Sequence, residues 1–78
     1  MAQYKYAKFL NQHDNPEYDK THQPGTAAPW SGIYKCTACG WEATCNKNDP
    51  LPPQNHNQHT PLQGAIRWQL IVAHGYLP

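Results

Sequence analysis

The sequence predicts a small metal-bound β fold, α+β at most, with a three-stranded antiparallel sheet and a short N-terminal helix. Three observations carry this. The runs Cys36-Thr37-Ala38-Cys39-Gly40 and His56-Asn57-Gln58-His59 each set two ligand-type residues two positions apart, so that two sulfurs and two imidazoles can meet on one tetrahedral zinc ion. Short stretches beside the cysteine pair and near the C-terminal end alternate apolar and polar side chains at the period of a strand. The chain has 78 residues, a size at which a hydrophobic core alone gives marginal stability. Structural zinc contributes roughly 10 to 16 kcal/mol in finger peptides, comparable with the roughly 5 to 15 kcal/mol that stabilises an ordinary domain.

From the N-terminus, Ala2, Tyr6, Phe9 and Leu10 recur at helical spacing with Gln3, Lys5 and Lys8 on the other side, which predicts a short amphipathic helix over residues 2–11. Tyr4, Tyr6, Lys8 and Leu10 would equally line one face of a strand. Asn15-Pro16 reads as a cap followed by proline in the first helical position, enough for a single turn over residues 16–20. Pro24-Gly25 suits the centre of a type II turn within a connector over residues 21–31. We therefore divide the chain into an N-terminal helical arm, residues 1–22, and a zinc-ribbon domain, residues 23–78.

Residues 32–36 and 41–45 form a predicted hairpin with the cysteine pair at its tip. On its second strand Trp41, Ala43 and Cys45 share one face, and Glu42 and Thr44 the other. Cys45 thus reads as a small buried hydrophobe before it reads as a ligand. Residues 46–64, rich in Asn, Gln, Pro and His, show no period and read as a long loop. Residues 65–73 are the clearest strand, with Ile66, Trp68, Leu70 and Val72 on one face and Arg67 and Gln69 on the other.

The chemistry of the pairs is specific. In a CxxCG turn, backbone N–H groups face the sulfurs and glycine relieves the backbone where a positive φ is needed, so thiolates are stabilised and zinc keeps them deprotonated. The metal assignment is one structural zinc per chain on Cys36, Cys39, His56 and His59, with His22, Cys45 or His74 as substitute ligands. Sixteen residues separate Cys39 from His56, against about 12 in a DNA-reading Cys2His2 finger, and Pro50, Pro52 and Pro53 oppose a helix leading into the histidines. That excludes the duplex-reading finger and favours a zinc ribbon, with one ligand pair on a hairpin and the other on a loop. Solvated loop histidines are the plain alternative for His56 and His59. A redox role for the CxxC pair is the weaker alternative for the cysteines, since no βαβ pattern surrounds it.

These stretches, together with Pro24-Gly25, residues 31–36, Cys39-Gly40, residues 51–56, His59 and residues 64–68, resemble zinc ribbons and, more closely, small bacterial and phage-associated proteins of the protein L type, distinct from the immunoglobulin-binding protein of that name. The likeness covers most of residues 24–72. It implies Cys36, Cys39, His56 and His59 as zinc ligands and carries no activity with it.

A net charge of +1 with six scattered Lys and Arg leaves duplex nucleic acid and anionic membranes unsupported as partners. No apolar run is long enough to span a bilayer and the first residues lack a secretory signal core, so a soluble cytoplasmic protein is expected. Three cysteines argue against a disulfide framework. Four protein ligands close the zinc shell, so no enzyme and no small-molecule substrate is expected. Three Trp, five Tyr and one Phe in so small a domain point to a protein-interaction module; the alternative is a single-stranded nucleic-acid-binding ribbon using Lys35, Lys47 and Arg67.

Overall fold

The computed structural model describes residues 2–52 and 64–75. Four strands, β1 (Thr21–His22), β2 (Gly32–Cys36), β3 (Glu42–Cys45) and β4 (Trp68–Ala73), form one antiparallel sheet in the order β1-β4-β2-β3. The predicted hairpin and the strand that pairs with it are present, and a fourth strand joins them. Thr21 and His22 had been assigned to a connector because a two-residue strand is too short to show a period; pairing with Gln69 and Trp68 is what extends it.

Alternation places Tyr34 and Cys36 of β2 beside Trp68 and Leu70 of β4 on one face, all buried. A lid closes over them. Residues 25–28 run against residues 48–51 through paired backbone bonds, Gly25 N to Leu51 O and Leu51 N to Thr26 O at 2.9 Å, and Ala28 N to Asp49 O and Asn48 N to Ala28 O at 2.8 Å. The pairing satisfies the loop backbone and drops Ala28 and Leu51, both fully buried, onto the core. The Tyr34 hydroxyl donates to the Trp30 carbonyl at 2.6 Å, and burial raises its pKa above the usual phenol range.

One irregularity changes the expected faces. Tyr34 pairs with Leu70 but Ile33 pairs with Val72, so Ile71 is an extra residue on β4 and the strand bulges there. Directly opposed residues share a face, so Val72 sits with Ile33 on the reverse side, not with Trp68 and Leu70 as strict alternation from residue 66 predicts. The sheet consequently has an apolar patch on each face.

The N-terminal helix over residues 2–11 does not form. The segment holds one 3-10 turn, Ala7–Phe9, between extended Tyr6 and Leu10, with no side-chain cap and no buried residue. Helices this short are marginal in water without packing, and three aromatic residues lower the intrinsic propensity further. The second turn behaves as read: Pro16–Asp19 is a 3-10 turn whose first free N–H, on Glu17, is accepted by Asn15 Oδ1 at 2.9 Å. No helix among the described residues is long and apolar enough to cross a membrane.

Gly32 opens β2 with both edges occupied, opposite Cys45 on one side and Ala73 on the other. A Cβ there would collide with the Val72 carbonyl oxygen, and its φ of 157° is one that L-residues seldom adopt. Gly32→Ala should cost about 2 kcal/mol or more, read as a fall of roughly 10 °C in Tm. An unchanged melting curve would mean that the β2 to β4 register is wrong.

Candidate metal centre

Cys36 is the last residue of β2, and the chain turns at Cys39 and Gly40 before β3 begins. Backbone bonds close the turn on itself: Gly40 N donates to Cys36 O at 2.8 Å and Cys36 N to Trp41 O at 2.7 Å. Gly40 has φ 81°, the left-handed conformation that the CxxCG pattern calls for. The returning chain clamps the turn from the other side, with Thr37 N donating to Arg67 O at 2.9 Å.

This framework acts on the sulfur. Burial pushes the Cys36 thiol up, but the backbone N–H groups of Cys39, Arg67 and Ala38, together with the Cys39 side chain, outweigh it and bring the group down to about 7. Both cysteines carry free thiols; Cys36 is buried and Cys39 half-buried. A turn that aims several N–H groups at one sulfur favours a thiolate, the form in which cysteine binds metal, so this donor pair suits a zinc ion.

His56 and His59 lie outside the described residues. Among the described residues no group of three His, Cys, Asp or Glu side chains comes together. The substitutes suggested by the sequence are placed elsewhere. His22 pairs with Trp68, which in turn pairs with Cys36, so a whole strand separates the imidazole from the thiols; its ring packs edge-on against Tyr34 at 6.2 Å. His74 follows the far end of β4 and is exposed. Glu42, which the strand period sets on the face away from Cys45, is half-buried and stands opposite Lys35. Two parts of the framework had no signal in the sequence: the Arg67 backbone clamp, which depends on a contact 30 residues away in the chain, and the hold on Pro52, whose carbonyl accepts from Trp68 Nε1 at 2.9 Å.

Cys45 is buried at the opposite end of the hairpin, facing Gly32. Its Sγ lies among the carbonyl oxygens of Asp49, Pro50 and Asn46 at 3.4, 3.6 and 3.7 Å. Burial, with the Asp49 charge adding to it, raises this thiol above the ordinary cysteine value, so it stays protonated and donates. It belongs to the core, as its phase with Ala43 suggested. Cys45→Ala should cost on the order of 1 kcal/mol in urea denaturation and leave metal content untouched; loss of bound metal in this variant would make Cys45 a ligand.

No protein-family model matches the chain, and no solved structure does. A protein of Escherichia coli named Protein L is 53% identical over 76 residues, covering 92% of this chain and 86% of its own length. At that identity and coverage, this chain belongs to the same family as Protein L of Escherichia coli.

Proposed function

We propose that this chain is a zinc-stabilised interaction module in which Cys36, Cys39, His56 and His59 hold one structural zinc ion. The observation that carries the reading is the Cys36 sulfur, buried yet faced by three backbone N–H groups. A core thiol without a metal needs no such arrangement, and Cys45 in the same fold has none.

The path of the chain supports the second ligand pair. Pro52 is bonded to the Trp68 indole, and Arg67 to Thr37 of the turn, so the segment bearing His56 and His59 leaves and rejoins the fold beside the strand end that carries Cys36. When bound, zinc supplies a cross-link between these regions and no open coordination position. With the shell closed by protein donors, the working part of the molecule is its surface. Tyr4, Tyr6, Phe9 and Trp41 stand out from it, and exposed rings of this kind mark binding faces.

Native mass spectrometry of protein made in zinc-supplemented medium should give one zinc per chain, removed by chelator and absent from Cys36→Ser and Cys39→Ser. His56→Ala and His59→Ala should each weaken it. A wild-type chain that carries no metal would overturn the proposal.

The acid limb follows from the thiol. Thiolate binds and thiol does not, so protons compete with zinc below about 7. Chelator competition at pH 8 and at pH 6 should differ about tenfold in apparent zinc affinity from Cys36 alone, with the histidines adding to it. A flat profile would mean that Cys36 is not a ligand.

A further inference from the structure

The geometry points to residues 4–9 of the N-terminal arm as a binding surface for single-stranded nucleic acid, with bases stacked on Tyr4 and Phe9 and phosphates met by Lys5 and Lys8. This rests on the interaction-module reading and names its partner. A groove of about 890 Å³ is lined on one side by Ala7 and Leu10 of the arm and on the other by Ile33, Ile71 and Val72 of the sheet. Tyr4 and Phe9 also line this groove and keep most of their surface exposed.

Exposure singles the arm out. Phe9 is 74% exposed and Tyr4 67%, the two highest values among the large hydrophobic side chains of the described residues. The arm's ammonium groups lie over the Tyr6 and Phe9 rings: Lys8 Nζ is 5.2 Å from the Phe9 centroid and 5.5 Å from that of Tyr6, and Lys5 Nζ is 5.1 Å from Tyr6. Exposed rings interspersed with cations supply the two contacts that single strands use, stacking for a base and charge for a phosphate.

Charge selects the partner. Residues 2–13 contain Lys5 and Lys8 and no carboxylate, whereas the rest of the chain holds four cations against five carboxylates. Each of the other cations stands singly among neighbours elsewhere in the fold. Lys20 pairs with Glu17 at 2.9 Å, Lys47 lies over the Trp30 ring at 5.1 Å, Arg67 donates to the Ile66 carbonyl at 2.8 Å, and Lys35 stands between Glu42 and Gln69 in the sheet. A stretch with two cations and no carboxylate favours the arm over Lys35, Lys47 and Arg67 as the single-strand surface. A short two-cation strip suits a single strand better than a duplex, whose recognition needs a helix or ribbon seated in a groove.

The test is fluorescence anisotropy of a labelled oligothymidine with the full chain, its zinc content measured in the same samples. Affinity should fall about sevenfold between 50 and 200 mM salt, as two phosphate contacts on a single strand require. Tyr4→Ala and Phe9→Ala should each weaken binding about tenfold, Tyr4→Trp should retain it, and Lys5→Glu with Lys8→Glu should abolish it, all with an unchanged thermal melting midpoint. Three results would overturn the proposal: no binding at about 100 μM protein in low salt, binding indifferent to the ring substitutions, or equal competition by polyglutamate or by phosphatidylserine vesicles, which would assign the arm to acidic protein or to membrane. Zinc content separates the two readings, because a zinc-loaded chain that ignores the oligonucleotide refutes this inference alone.

Discussion

The structure depends on β2 being paired along both edges. With β3 on one side and β4 on the other, the backbone polar groups of residues 32–36 are satisfied within the sheet, and Tyr34 and Cys36 can be buried completely. Because Cys36 ends the most enclosed strand, the turn that follows starts from a rigid point. The Arg67 clamp holds that turn from the neighbouring strand. Backbone order at the strand end becomes electrostatic order at a sulfur, and a thiol that burial alone would keep protonated is brought near neutrality.

The bulge at Ile71 has a second set of consequences. Without it, Val72 would share the core face with Trp68 and Leu70, apart from Ile33, while Gln69, Lys35 and Thr21 form a polar row on the reverse face. The extra residue moves Val72 beside Ile33 and gives the reverse face an apolar patch of its own. The two faces are covered differently. The core face has a lid tied by backbone bonds, over Ala28 and Leu51; on the reverse face Gln69 donates to the Tyr18 carbonyl, and residues 2–10, with one 3-10 turn and no buried side chain, line an open groove. The tightly packed side is where the metal is proposed, and the loosely covered side is where the aromatic rings meet solvent.

Much of this was legible in local patterns. The CxxCG turn, the hairpin around it, the capped turn at Asn15-Pro16 and the core phase of Cys45 each depend on neighbours within a few residues, so spacing and residue type were enough to place them. The short strand Thr21–His22, the pairing of the two loops and the bulge were not, since each is set by a partner far along the chain. The N-terminal helix failed for a related reason: apolar residues at helical spacing indicate a helix only when something buries that face, and here the rings remain in solvent.

Taken alone, the order of residues determined which side chains have the chemistry for a metal, where the chain turns, and that the domain is small and rich in strands. Only the tertiary structure decided that the Arg67 carbonyl would hold the cysteine turn, that Pro52 would accept from the Trp68 indole, that His22 and His74 would lie away from the turn, and that the arm lysines would lie over exposed rings. Donor type is a property of single residues and their spacing, whereas proximity and engagement follow from strand register, which long-range backbone pairing selects.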